Sequence, residues 1–177
     1  YFIGVTTGKS SIMRVFPEWA RHLGISEHIA GIDCEWHDDP AVYRNVVSFI
    51  KSDPQSLGAL VTTHKIDLLN ATRDMFEILG PHAELMGEVR SISKRDGKLA
   101  GHAKDPITSG LSLEAFLPAN HWRDTGAEAF CIGAGGSSIA VSCYLMENCA
   151  PENRPSKIIV SNRSKPRLEA IKAIHQR

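Results

Sequence analysis

The stretch Phe130-Cys131-Ile132-Gly133-Ala134-Gly135-Gly136-Ser137-Ser138 decides the fold, because it reads as a strand running into a glycine turn that opens a helix. Ala129 to Ile132 is a short apolar run. Gly133, Gly135 and Gly136 permit a tight turn and close backbone approach, and Ile139-Ala140-Val141 with Tyr144-Leu145 begins a helical apolar pattern. Such a turn offers the unpaired amides of a helix N-terminus to a phosphate. Gly133, Ala134, Gly135, Gly136 and Ser137 are therefore candidate cofactor-binding residues. Ser138 stands where the dinucleotide fingerprint has its last glycine, so a strand-turn-helix without a ligand is the competing reading of this stretch alone.

Downstream, after a polar loop from Glu147 to Ser156, Lys157-Ile158-Ile159-Val160 reads as a second buried strand and completes a βαβ unit. An acid at the tip of this strand would favour a bare adenosine ribose. Asn162, Arg163 and Ser164 stand there instead; they can pair with a 2′-phosphate, which favours NADP over NAD. Arg163 has a second reading as a solvated first-turn residue, with Ser161 or Asn162 as the cap. Only two strands fit between Ala129 and Arg177, with Pro166 to Gln176 as the helix after the second, so this domain is expected to be cut short.

The 177 residues are 42% hydrophobic, enough to bury the core of one large or two small domains. Lys and Arg number 20 and so do Asp and Glu, and this zero net charge argues against a nucleic-acid or acidic-membrane partner. No apolar run approaches membrane-spanning length. No signal peptide is read before Tyr1, and a start at Tyr rather than Met implies leading residues outside the sequence. Cys34, Cys131, Cys143 and Cys149 have no CxxC spacing, so reduced thiols in a cytoplasmic protein are expected and a metal site is not.

Towards the N-terminus, Phe2-Ile3-Gly4-Val5 is an apolar strand, and the polar turn Thr6 to Ser11 leads into a helix from Ile12 to Leu23. Its apolar positions Ile12, Val15, Phe16, Trp19, Ala20 and Leu23 fall at helical spacing and are expected in the core. Ile29 to Trp36 is a second strand candidate. Pro40 opens a helix from Ala41 to Lys51 with Val42, Val46, Phe49 and Ile50 inward. Gly58 to Thr63 is a third strand, ending at His64-Lys65, and Ile66 to Met86 is expected to be helical with an interruption at Gly80-Pro81. Val89 to Ser93 and Lys98 to His102 flank Arg95-Asp96-Gly97, a hairpin with a tight turn. A helix from Ile107 to Leu117 follows Asp105-Pro106, and Pro118 to Gly126 reads as a hinge.

Strands alternating with helices at this spacing imply an α/β domain with a largely parallel sheet. Ligands collect beyond the carboxyl ends of such strands, where Ser10, Thr62 and Lys65 fall. Ser10 also has the commoner reading of a helix cap.

With its elements in this order the chain resembles the shikimate dehydrogenase family, which includes quinate dehydrogenases, over nearly its full length. The resemblance lies in Ile3-Gly4 through Ser10, Gly58-x-x-Val61-Thr62 with Lys65, Gly87-x-Val89, Asp96-Gly97-x-Leu99-x-Gly101 leading to Asp105, Gly133-Ala134-Gly135-Gly136, and Asn162-Arg163-Ser164. It implies a substrate-binding α/β domain over residues 1–118 and a Rossmann-type NADP-binding domain from 119, incomplete at 177, with the active site in the cleft between them. It implies an oxidoreductase of the shikimate pathway in aromatic amino acid biosynthesis, transferring a hydride between NADP(H) and a ring carbon that bears a ketone or hydroxyl. A lysine and an aspartate handle the proton, by position Lys65 and Asp105. A small-molecule substrate, a cytoplasmic location and a homodimer go with the resemblance.

Departures from the family pattern cluster in the substrate site. Ile12 stands where a second serine is usual, Thr63-His64-Lys65 is one residue short and lacks a proline, and Ala103 replaces an asparagine before Asp105. Arg90 takes the place of a substrate-binding asparagine, bringing a charge and a bidentate fork. Arg90 is therefore expected to bind an anionic group of a related ring compound; the alternative is that it points to solvent. A catalytically inactive relative that binds a small ligand as a sensor or regulatory module is the second functional reading. His64 and His102 lie near the expected site, either as proton-transfer aids or as ordinary core or surface histidines.

Overall fold

Phe2–Gly4 forms β1, buried along its whole length because it lies in the middle of a sheet. In this computed structural model, which describes residues 1–176, β2 (Gly31–Asp33) and β3 (Gly58–Val61) pair parallel on either side of β1. Beyond β3 come β4 (Ile78–Leu79), β5 (Ser91–Arg95) and β6 (Lys98–His102), giving the order β2-β1-β3-β5-β6-β4. The β3–β5 and β5–β6 ladders are antiparallel and the other three are parallel, so the sheet is largely parallel as expected.

The β5–β6 turn is the Asp96-Gly97 turn expected, with φ of 52° and 72°, the left-handed pair that suits the twist of a hairpin. Gly58 is required where β3 meets β5: its φ is 138°, and a Cβ there would stand 2.0 Å from the Ile92 carbonyl oxygen.

Helices α1 (Ile12–Leu23), α2 (Pro40–Ser52), α3 (Lys65–Thr72) and α4 (Pro81–Met86) surround this sheet. Asp39 caps α2 by accepting from Ala41 N–H at 2.8 Å, with Pro40 in the first turn. Ile3, Val47, Ile50, Leu68, Val89 and Leu99 close the core with no exposed surface.

Several expectations fail for one reason, that periodicity assigns side chains to a face without saying what covers the face. α1 forms at its expected bounds, yet of its apolar stripe only Ala20 is buried, and Trp19 and Leu23 are 57% and 67% exposed. On α2, Tyr43 and Val47 are fully inward, whereas Phe49 is exposed and meets the ring of Tyr1 edge-on at 5.3 Å. The helix expected over Ile66 to Met86 stops at Thr72. There β4 intervenes, because Glu77 and Gly80 N–H groups pair with the Leu99 and Gly101 carbonyls of β6.

The chain divides into two compact units, Tyr1–Ala103 and Lys104–Arg177. The second begins with α5 (Asp105–Glu114). There α5 lies on α7 (Gly136–Glu147), where Gly110 leaves room for the Tyr144 ring. The stretch read as a hinge contains α6 (His121–Thr125). β7 (Ala129–Ile132) and β8 (Ile158–Ser161) pair parallel, with α7 crossing over and α8 (Lys165–Ile174) following, as the glycine turn implied. Among the described residues no helix is long and apolar enough to cross a membrane.

Candidate functional site

Because β5 runs antiparallel to β3 and β6 antiparallel to β5, the carboxyl end of β3, the start of β5 and the end of β6 share one edge of the sheet. Backbone bonds fasten that edge: Val61 N–H to the Arg90 carbonyl and Arg90 N–H to the His102 carbonyl, both at 2.8 Å, and Val89 N–H to the Lys65 carbonyl at 3.1 Å. Lys65, Glu88 and Arg90 converge there. The Lys65 ammonium is 2.8 Å from Glu88 Oε2, and Arg90 Nε donates to Glu88 Oε1 at 3.1 Å.

The Glu88 side chain is 5% exposed, against 17% for Lys65 and 31% for Arg90. Lys65 is the first residue of α3, where the positive end of the helix disfavours a cation. The Glu88 carboxylate offsets that, and the two cations compensate its own burial.

The segment before Lys65 turns sharply. His64 N–H bonds the Thr62 carbonyl at 2.5 Å, closing a γ-turn on Thr63, whose φ is 61°. A β-branched residue in the left-handed region is strained. His64 is buried by the same turn, with Nδ1 3.1 Å from the Tyr43 hydroxyl, which accepts from Asp38 N–H. Assigning the phenol proton to Nδ1 uses every donor in this chain of bonds and leaves the ring proton on Nε2, which has no partner among the described residues.

Ser10 and Thr62 lie on neighbouring segments. Ser10 closes a 3₁₀ turn over Thr7–Lys9, its N–H bonding the Thr7 carbonyl at 2.9 Å. Thr62 is exposed, its N–H on the Ile3 carbonyl at 3.0 Å, and a Cβ added to Gly4 would stand 3.0 Å from its methyl group.

In the second unit, Asp105 is half-buried at the first position of α5, ahead of Pro106. Gly133 has a φ of 105°, and its N–H bonds the Ser161 carbonyl at 2.7 Å. The register Ile132↔Ser161 thus sets the turn Gly133 to Ser137 beside Asn162, Arg163 and Ser164. α7 starts at Gly136 with no side-chain cap, and Cβ atoms at Gly133 or Gly135 would meet nothing within 4 Å. Uncapped amides facing open space suit a phosphate. The exposed Arg163 and half-buried Asn162 suit a second anionic group next to it.

No family model matches the chain. The shikimate dehydrogenase (NADP(+)) of Paracoccus denitrificans is 27% identical over 175 residues, which are 97% of this chain and 56% of that protein. The chain is thus similar in sequence to shikimate dehydrogenases. It spans about half the length of the curated relatives it matches. A shikimate dehydrogenase solved in complex with NADP+ superposes with a TM-score of 0.75 at 24% identity, covering 99% of this chain and 55% of that one. A ligand-free 5-ketofructose reductase of a Gluconobacter strain gives a TM-score of 0.75 at 20% identity, covering 99% and 57%. At these identities the two structures establish the fold.

Glu88 is the residue that sequence reasoning passed over. Its signal was slight: Glu88 and Arg90 are an acid and a base two residues apart, just ahead of β5.

Proposed function

We propose that the chain carries the substrate-binding domain, residues 1–118, and the opening βαβ unit, residues 119–177, of an NADP-dependent oxidoreductase acting on a ring ketone or hydroxyl of a shikimate-like small molecule. One observation carries the reading: Lys65 lies just beyond β3 at the ligand-binding edge of the sheet, fixed by buried Glu88 beside Arg90. Similarity to shikimate dehydrogenases supports it, as does a glycine turn that fits a dinucleotide phosphate. A cytoplasmic homodimer belongs to the same proposal.

When bound, the dinucleotide supplies or accepts the hydride. Gly133, Ala134, Gly135, Gly136 and Ser137 would hold its pyrophosphate, and Asn162, Arg163 and Ser164 its 2′-phosphate. Lys65 and Asp105 handle the proton. An ammonium beside the carbonyl oxygen stabilises the charge that develops there and hydrogen-bonds the resulting alcohol. Ser10 and Thr62 offer hydroxyls to the ring substituents, and Arg90 pairs with an anionic one.

The strained Thr63 turn and the departures at Ile12, Arg90 and Ala103 favour a second reading, a ligand-binding sensor or regulatory module without catalysis. The two separate by following NADPH absorbance against a panel of cyclic hydroxy and keto acids that includes shikimate and quinate. Turnover that is lost in Lys65→Ala is the expected result. Binding of a ring acid without turnover, unchanged in Lys65→Ala, rejects the dehydrogenase in favour of the sensor.

A further inference from the structure

We propose that Glu88 is a positioning residue that ties the Lys65 ammonium and the Arg90 guanidinium to one buried carboxylate, so that a proton-handling cation and an anion-recognising cation are placed together. Each carboxylate oxygen takes one cation, Oε2 at 2.8 Å from Lys65 Nζ and Oε1 at 3.1 Å from Arg90 Nε. The main chain that carries it is held on both sides, Val89 N–H on the Lys65 carbonyl and Glu88 N–H on the Ala83 carbonyl at 3.2 Å. Burial makes the arrangement obligatory: a carboxylate 5% exposed must be paired, and both partners here are more exposed than it is.

Lys65 and Arg90 therefore present themselves outward from a common anchor. This ties catalysis to recognition: whatever displaces Glu88 displaces both cations at once.

The proposal rests on the dehydrogenase reading only for its kinetic consequence; the placement of Lys65 is measurable without turnover. Trace acetylation with acetic anhydride, read at Lys65 by peptide mass spectrometry, reports how well the pair shields the amine. In Glu88→Gln, labelling of Lys65 is expected to rise about tenfold, the scale of one charge-assisted hydrogen bond. Glu88→Asp retracts the carboxylate by one methylene and is expected to label at an intermediate rate; it serves if the Gln variant does not fold. Equal labelling in the parent and both variants overturns the proposal.

With a ring acid that the parent turns over, Glu88→Gln is expected to lower kcat and raise KM together by about tenfold each. Glu88→Asp should recover part of both, whereas Arg90→Gln raises KM with little change in kcat. An effect of Glu88→Gln on KM alone overturns the shared-anchor role. A parent that turns over no ring acid, with labelling still raised in Glu88→Gln, sinks the dehydrogenase reading and upholds the anchor.

Discussion

Gly110 of α5 faces the ring of Tyr144 on α7 so closely that a Cβ built on it would stand 2.1 Å from Cδ2 and 2.2 Å from Cγ. The ring cannot step aside, because its hydroxyl donates to Glu114 one turn further along α5. That bond, more than burial, pushes the Tyr144 hydroxyl pKa up to about 12.

Gly110→Ala therefore overpacks the α5–α7 contact. Alanine gains roughly 1 kcal/mol of helix propensity over glycine, but the collision is with the body of a ring, and a net loss of about 1–3 kcal/mol is expected. Gly8→Ala, where a Cβ meets nothing within 4 Å, should stay within about 0.5 kcal/mol of the parent. Urea unfolding of both variants decides this, and a Gly110→Ala midpoint equal to that of Gly8→Ala contradicts the packing.

Acid should weaken the first unit through Glu77. Lys51 Nζ donates to its Oε1 at 2.6 Å and Leu99 N–H to its Oε2 at 2.7 Å, holding its carboxyl at about 2 against an ordinary 4.5. A depressed native pKa means that the stabilisation is complete above pH 4.5 and is lost as pH falls towards 2. Both Glu77 and Lys51 side chains are more than one third exposed or close to it, so salt should reduce the effect. In Glu77→Gln the midpoint of unfolding should depend less on pH across that window. A parent-like pH dependence in Glu77→Gln contradicts this role.

Arg163 follows β8 beside the glycine turn and is exposed. Arg163→Ala should raise the KM for NADPH about tenfold or more, the scale of a lost charge-assisted bond, and leave that for NADH nearly unchanged. Equal effects on the two cofactors would place Arg163 on a group they share instead of on the 2′-phosphate.

The four cysteines are free, and burial raises every one of their thiol pKa values. Cys143, on α7, is pushed up to about 11 by burial first and by Glu147 second. Because the thiolate is the reactive form, a disulfide reagent at pH 8 should modify half-buried Cys131 and Cys149 before fully buried Cys34 and Cys143. Fast modification of Cys143 in folded protein would show that α7 opens readily.

Local patterning carried most of the element order into view. The glycine turn, the Asp96-Gly97 hairpin and the α1 bounds are set by interactions among near neighbours, through positive φ, turn geometry and helical spacing. The same holds for the positions of Lys65 and Arg163, each just past the end of a strand. β4 was hidden because two residues of strand are made by pairing with β6 some twenty residues on, against a helical-looking local sequence.

The candidate site divides along the same line. Residue types and order alone determined that this is an α/β chain similar to shikimate dehydrogenases, with a dinucleotide-type turn and a lysine just past the end of β3. Only the tertiary structure decided that Glu88 joins Lys65 to Arg90, that a tight turn strains Thr63 and buries His64, and that α1 leaves Trp19 and Leu23 uncovered. Each of these depends on segments distant in sequence meeting at one place, and burial and charge pairing are properties of that meeting, which no local pattern encodes.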